Sequence, residues 1–185
     1  MQVKDLVKEV ANFLQLNNVL DLDFEDSEQM EQIDAVTQRD INLIVKCLNQ
    51  VLTRIATEHV ELLNVEDIVI NNGIFDLDML SKQFFKIKKL GNNEKFDLVE
   101  KQLYAQNGKY QILYSYLPTE YDFDDDLDIY KNLSKYAICY GICSEYLMIL
   151  GDFSQSETYE SKFENAMEVA KSNLKIAEIK HRRWR

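Results

Sequence analysis

The stretch IYKNLSKYAICYGICSEYLMIL, residues 129–150, determines the predicted fold. Its apolar side chains surround the helix instead of forming one stripe, which is typical of a helix buried on all sides. Gly151 follows directly and favours a helix C-cap. The sequence therefore predicts a central buried helix against which other helices pack. The residues expected to face the core are Leu133, Ala137, Tyr140, Cys143, Leu147 and Leu150.

Helical patterns also precede and follow this stretch. Residues 2–63 have apolar side chains at spacings of three and four, first in the stripe from Val3 to Leu14 and then in a long helix within 32–63. The run DFDDDLD, residues 122–128, would place negative charge at the start of the central helix, where the helix dipole favours it. After Gly151, Ser154 with Glu157 predicts a capping box for a last helix that runs to about residue 179.

Residues 66–118 change to a pattern of β-strands. The runs EDIVIN (66–71) and QFFKIKKL (83–90) are candidate strands. KFDLVEKQLYA (95–105) and KYQILYSYL (109–117) flank Asn107-Gly108, and this pair between two β-rich runs predicts a hairpin with a type I′ turn. Pro118 would end the second strand. The tyrosine-rich face expected there comprises Tyr110, Ile112, Tyr114 and Tyr116.

These patterns predict an α+β fold, mainly an α-helical bundle, with a small antiparallel β insertion between the second and third long helices. The bundle would comprise 1–65 and 119–179, the hairpin-containing insertion 66–118, and a basic tail 180–185. Only one proline and five glycines among 185 residues agree with long helices and few tight turns.

Composition narrows the classes of function. The formal net charge is −11, which disfavours ordinary binding to phosphate backbones. MQVKDLVKEVANF (1–13) contains no uninterrupted apolar stretch, so we expect no signal peptide, and no apolar run is long enough for a membrane span. We therefore expect a soluble protein made in a cytoplasm.

Catalytic, metal and cofactor motifs give no positive prediction. Cys139 and Cys143 would share a helix face, a possible half of a metal site, but reduced thiols packed as apolar residues are the favoured interpretation. The acidic loops that start at Asp21 and Asp122 lack the glycine and the bidentate glutamate of a calcium loop. Glycine-rich nucleotide-binding loops do not occur. We expect no catalytic residues, no metal ion, no cofactor and no enzymatic activity.

The basic tail is the candidate partner-binding segment. Four of the chain's 21 lysines and arginines lie within 180–185, next to its one tryptophan. A frayed helix end, an arm that binds nucleic acid, and an arm that docks on a neighbouring copy of this acidic chain all fit this composition. Docking is favoured because arginine and tryptophan are enriched at interface anchors and the rest of the chain is acidic. The residues concerned are Lys180, His181, Arg182, Arg183, Trp184 and Arg185.

One stretch carries a family resemblance. YGICSEYLMILGDFSQSETYESKFENAMEVAKSNLK (140–175), followed by IKHRRWR (179–185), resembles the two closing helices and the C-terminal segment of head–tail connector proteins, also called adaptor or head-completion proteins, of tailed double-stranded-DNA bacteriophages. CLNQVLTRIATEHVELLNVEDIVINNG (47–73) is similar to their long helix that leads into the β part. The matching positions are Tyr140, Gly141, Glu145, Tyr146, Gly151, Tyr159, Lys162, Phe163 and Ala166.

The resemblance implies a structural role in the neck of the virion, reached from the host cytoplasm during assembly. Such proteins form a ring, usually of twelve subunits, below the portal protein; the ring extends the DNA channel and joins the tail or a further neck protein. DNA would pass the lumen without specific binding, and residues 180–185 would dock into the portal. The residues themselves leave an alternative open, namely an acidic regulatory or interaction module that binds a basic partner protein.

Overall fold

The computed structural model describes residues 1–92, 94–130 and 133–177. It divides the chain into two compact units, one formed by Met1–Leu52 with the chain from Glu120 onward and the other by Thr53–Thr119. The fold is mixed, with 50% helix and 22% strand, and the strands form two three-stranded antiparallel sheets. The predicted fold class, a mainly helical bundle with one small insertion, is therefore wrong.

The first unit is helical. Its α1 side chains Val3, Leu6, Val7 and Val10 are fully buried, as their spacing predicts, and α5 contacts both α1 and α6. The described helices are α1 (Val3–Leu14), α2 (Asn17–Leu20), α3 (Ser27–Glu31), α4 (Ala35–Arg54), α5 (Lys135–Leu150) and α6 (Phe153–Ala177). The end of α4 enters the second unit, where a π-helical turn, Ile55–His59, continues it.

The central helix α5 is buried as expected but begins six residues later than its pattern suggests. It starts at Lys135, and the acidic run 122–128 lies in the preceding loop. That loop instead meets the start of α1: the Val3 amide donates to the Asp125 carbonyl at 3.0 Å, and the Leu127 amide donates to the Met1 carbonyl at 2.7 Å. The acidic run therefore lies at the N-terminus of α1, where a helix dipole favours negative charge.

The predicted C-cap of α5 is confirmed, and the predicted N-cap of α6 is wrong. Gly151 ends α5 with a left-handed φ of 83°, and its amide donates to carbonyls of the last helical turn. Ser154 does not begin α6, because Asp152 occupies the capping position. The Asp152 carboxylate accepts from the Gln155 amide at 3.1 Å, and its carbonyl accepts from the Ser156 amide at 3.0 Å. Aspartate caps a helix as well as serine does, so the earlier residue of the two starts the helix.

The second unit contains two sheets. In the larger one the strand order is β1-β6-β3, and in the smaller one it is β2-β5-β4. β1 begins at residue 62, inside the stretch expected to be helical through 63. The described strands are β1 (Leu62–Ile70), β2 (Ile74–Asp76), β3 (Phe84–Leu90), β4 (Asp97–Val99), β5 (Gln102–Tyr104) and β6 (Gly108–Tyr116).

The predicted hairpin around Asn107-Gly108 is wrong. The strands on either side, β5 and β6, belong to different sheets, and neither residue has a positive φ. The type I′ geometry occurs instead at Asn72-Gly73, between β1 and β2, where φ is 54° and 78°. The Asn107 side chain accepts from the Gly73 amide at 2.7 Å, so it stabilises the other turn. Either Asn-Gly pair can form a type I′ turn. Which pair forms it depends on which strands pair with each other.

The core of the second unit lies on one face of the β1-β6-β3 sheet. Ile112 and Tyr114 are fully buried in it, and Tyr110 and Tyr116 pack against it, which confirms the predicted alternation along β6. β1 contributes Ile68 and Ile70 to the same core. Side chains at the intervening positions of β1 face away from it and are exposed.

Candidate partner-binding surfaces

The six residues predicted to bind a partner, Lys180, His181, Arg182, Arg183, Trp184 and Arg185, lie outside the described residues. Their role remains a prediction. The described residues form three surfaces that bear on partner binding, two on the first unit and one on the second.

An acidic surface on the first unit joins two segments that are about a hundred residues apart in sequence. The rings of Phe24 and Phe123 meet edge to face, with centroids 5.0 Å apart. Each phenylalanine lies within an acidic run, so the pair brings the runs 21–28 and 122–126 to one place. We call this the acidic surface. Ring pairs of this geometry are stabilised by about 0.5–1.5 kcal/mol beyond their buried area, which helps to hold two segments that repel each other.

Two lysines of α1 partly neutralise the acidic surface. The Lys4 ammonium forms an ion pair with the Glu25 carboxylate at 3.0 Å. Its hydrogen bond to Glu25 raises the Lys4 pKa, and the charges of Glu25 and Asp124 raise it further. The Lys8 ammonium lies 5.6 Å from the centroid of the Phe24 ring. Because the two runs together carry many more carboxylates than these two cations, the surface keeps a negative potential.

An apolar surface lies where α5 turns into α6. Met148, Ile149 and Leu150 are each about half exposed, and Phe153 is 68% exposed. Leu150 was expected to face the core, but it is about half exposed, like the rest of the last turn of α5. Contiguous exposed apolar residues on a folded unit mark contact sites for other molecules. We call these four residues the α5–α6 turn patch.

The second unit exposes an apolar row on the outer face of the β1-β6-β3 sheet. Leu63, Val65 and Val69 of β1 are 54, 51 and 48% exposed, and Asp67 lies in the same row. Successive residues of a strand point to opposite faces, so the row faces away from the core that Ile68 and Ile70 enter. The alternation was visible in the sequence, but without the strand order it did not reveal which face is covered.

A polar network on the core side of the same sheet is centred on Glu66. Its carboxylate accepts from the Tyr114 hydroxyl, from the Asn64 amide at 2.7 Å, and from both the hydroxyl and the backbone amide of Ser81, at 2.5 and 3.2 Å. Partial burial raises the Glu66 pKa, but the hydrogen bonds from Ser81 and Tyr114 outweigh it, so the pKa lies below its ordinary value. Burial and the Glu66 bond raise the Tyr114 pKa. The network ties the segment before β3 to β1 and β6, and we interpret it as structural.

The three cysteines, Cys47, Cys139 and Cys143, are free and buried in the first unit, in agreement with the favoured interpretation of packed thiols. Burial raises the pKa of Cys47 and of Cys139 to about 12 and raises that of Cys143 as well. We call them the core thiols. Within 1–92, 94–130 and 133–177, histidine, cysteine and acidic side chains nowhere form a group of three that could hold a metal ion.

An aromatic cluster on the first unit was not recognised from the sequence. Phe13, Tyr140 and Tyr159 stack with centroids 5.6–6.4 Å apart, and the Lys162 ammonium lies 4.7 Å from the Tyr159 ring centroid. The Tyr159 hydroxyl donates to the Phe13 carbonyl at 3.2 Å. The cluster joins α1, α5 and α6, so Tyr140, Tyr159 and Lys162 have a packing role.

No described helix combines the length and apolar character that crossing a membrane requires. No protein-family model matches the chain, and no curated protein is significantly similar to it in sequence.

Proposed function

We propose that this chain is a structural virion protein, a head–tail connector of a tailed double-stranded-DNA bacteriophage. It forms a ring below the portal, extends the DNA channel and joins the tail. The observation that supports this most is the presence of an exposed apolar surface on each unit: the α5–α6 turn patch on one and the outer row of β1 on the other. A connector has to contact several different neighbours at once, and separate apolar surfaces are suited to this.

The charge of the chain supports passage of DNA without specific binding. The net charge is −11, and the acidic surface concentrates carboxylates from two segments on the first unit. A surface of this sign repels phosphate backbones, so DNA beside it does not adhere.

In this proposal the partners are the portal protein, a tail or further neck protein, and other copies of the chain in a ring of about twelve, the number that the resemblance implies. Residues 180–185 dock on the portal, because their cations and tryptophan suit an interface anchor. The proposal includes no catalytic step and no cofactor. It places the protein in the neck of the virion and, before assembly, in the host cytoplasm.

The proposal is tested by capture of proteins from lysate of phage-producing cells, with mass spectrometric identification. The baits are the full chain, the chain without residues 180–185, and a full-length chain in which the four cations of 180–185 are glutamine and Trp184 is kept. Capture of the portal protein by the full chain alone supports docking through the charged tail. Capture by the glutamine variant as well assigns the anchor to the side chains that it keeps, His181 and Trp184. Failure of all three baits to capture a virion protein contradicts the connector.

The acidic surface specifically favours the second candidate, an interaction module that binds a basic partner protein. The same experiment separates the two. A stoichiometric complex with a small basic protein that is not part of the virion, formed equally by the full and the shortened chain, would support the module. Loss of that complex at raised salt is expected in this case, since salt screens exposed charges.

A further inference from the structure

Within the part of the chain that the structure describes, no strand pairs with the outer sides of β1 and β3, so the β1-β6-β3 sheet has two open edges. An edge strand presents backbone N–H and C=O groups that can pair with another strand. β1 has nine residues and β3 has seven, which is long for open edges. Both pair antiparallel with β6 and therefore run in the same direction. The sheet can consequently continue from one copy into the next with β1 and β3 in parallel, and the two register shifts of β3 then lie within the contact.

The edge at β1 lacks the usual protection against pairing. Its outer row consists of Leu63, Val65 and Val69, each about half exposed, interrupted only by Asp67. Natural edge strands commonly carry lysine, proline or bulges that prevent association. Asp67 makes no ion pair with the residues that the structure describes, so its charge is available to a neighbour.

The edge at β3 carries the opposite charge on the same face. Lys86 lies opposite Ser115, and Lys89 lies opposite Leu113. Those two residues of β6 in turn lie opposite Leu63 and Val65 of β1, so both lysines share the outer face with the apolar row. The pairing of β3 with β6 has two register shifts, and because of them Lys86 and Lys89 lie on the same face although they are three residues apart. Neither lysine has a carboxylate partner among the described residues, whereas Lys88 pairs with Glu61 of its own chain.

The charges discriminate between the possible pairings of two copies. Pairing of β1 with β1 brings two Asp67 carboxylates together, and pairing of β3 with β3 brings lysines together. Pairing of β1 with β3 of another copy brings Asp67 near Lys86 and Lys89 when the register sets Asp67 beside Lys89, and the lysine stems can then cover part of the apolar row. Lysines at an edge repel most strands but accept one that carries a carboxylate on the same face.

We propose that β1 of one copy adds in parallel to β3 of a neighbouring copy, so that the sheet continues between subunits through Asp67, Lys86 and Lys89. Each copy contacts one neighbour through β1 and another through β3, so the contact is heterologous. Heterologous contacts form a closed ring when the rotation between successive copies adds up to a full turn. Closure into a ring rests on the proposed function; the pairing of the edges does not.

The first test is zero-length carbodiimide cross-linking of a mixture of ¹⁴N- and ¹⁵N-labelled full chains at millimolar concentration, read by mass spectrometry. We expect mixed-isotope products that join Asp67 to Lys86 or Lys89. The Lys88–Glu61 pair within one chain is the internal control, since its product carries a single isotope. Formation of the control product without any mixed-isotope product at Asp67 overturns the proposal.

The second test exchanges the charges of the two edges. Asp67→Lys alone, and Lys86→Glu with Lys89→Glu, should each abolish the mixed-isotope products, and the three changes together should restore them as links from position 67 to 86 or 89. These side chains are exposed and make no ion pair within the described chain, so the variants should keep the circular dichroism of the parent. Failure of the combined variant to restore the products, with the fold intact, also overturns the proposal.

The two proposals fail in distinguishable ways. Portal capture without edge cross-links retains the connector and rejects this contact. Edge cross-links without portal capture retain the contact between copies and reject the connector.

Discussion

Replacement of Gly141 by alanine tests how closely the central helix is packed. Gly141 lies in the middle of α5 and is buried. A Cβ atom at this position would be 2.8 Å from Cγ1 of Val51 on α4 and 3.0 Å from Cδ2 of Phe163 on α6. Non-bonded carbon atoms prefer separations of about 3.5–4.0 Å. One extra methyl group therefore requires two buried side chains to move.

Two opposing effects set the expected magnitude. Alanine is more favourable than glycine inside a helix by about 1 kcal/mol. Overpacking of a core costs about 1–3 kcal/mol, and the upper part of that range applies because Val51 is β-branched with a restricted χ1 and Phe163 is fully buried. We expect Gly141→Ala to lower the free energy of unfolding by about 1–2 kcal/mol.

Urea unfolding followed by circular dichroism measures this change. The matched controls are Val51→Ala and the double variant, in which the removed methyl groups make room for the added one. The double variant should lose less stability than the sum of the single variants, by about 0.5–3 kcal/mol, which is the usual range for residues in contact. A Gly141→Ala variant that is about 1 kcal/mol more stable than the parent, as at an exposed helix position, would refute the packing described here.

Three further predictions follow from the caps, the thiols and the polar network. Asp152→Ala should lower the free energy of unfolding by about 1 kcal/mol and Ser154→Ala by much less, since Asp152 caps α6; an equal loss in urea melts would restore Ser154 as the cap. The core thiols should react with a disulfide reagent only after denaturation, because they are buried and their pKa values are raised; fast labelling of the native protein would contradict this. Because the Glu66 pKa is lower in the folded chain than in the unfolded one, its contribution to stability is complete above the ordinary value of 4.5 and is lost as the pH falls through the folded value. Glu66→Gln should therefore flatten the acid limb of a stability–pH curve, and an unchanged limb would exclude this role.

The local sequence pattern was sufficient to predict elements that are buried on one face or on most sides. The stripe of α1, the burial of α5 between Ala137 and Leu147, the left-handed Gly151 and the alternation of Tyr110 to Tyr116 all follow from spacing and from backbone preference. Each depends only on residues within a few positions of one another, so no knowledge of the rest of the fold is needed.

Predictions failed where two local signals of equal strength compete. Asn72-Gly73 and Asn107-Gly108 are chemically identical, and Asp152 and Ser154 both cap helices. The choice in the first case depends on which strands β6 pairs with, β1 and β3, and these lie far away in sequence. The extent of strand structure was underestimated for the same reason, because the short strands β2, β4 and β5 have little pattern of their own and exist through pairing.

By itself the sequence determined the buried helix, the excess of negative charge and the core face of β6, because composition and periodicity act locally. Only the tertiary structure decided which acidic segments meet around Phe24 and Phe123, which apolar residues stay exposed, and which charges stand on the two edges of one sheet. These properties depend on which parts of the chain become neighbours. Which distant segments become neighbours depends on the burial and hydrogen bonding of the whole fold, so it cannot be predicted from any single segment.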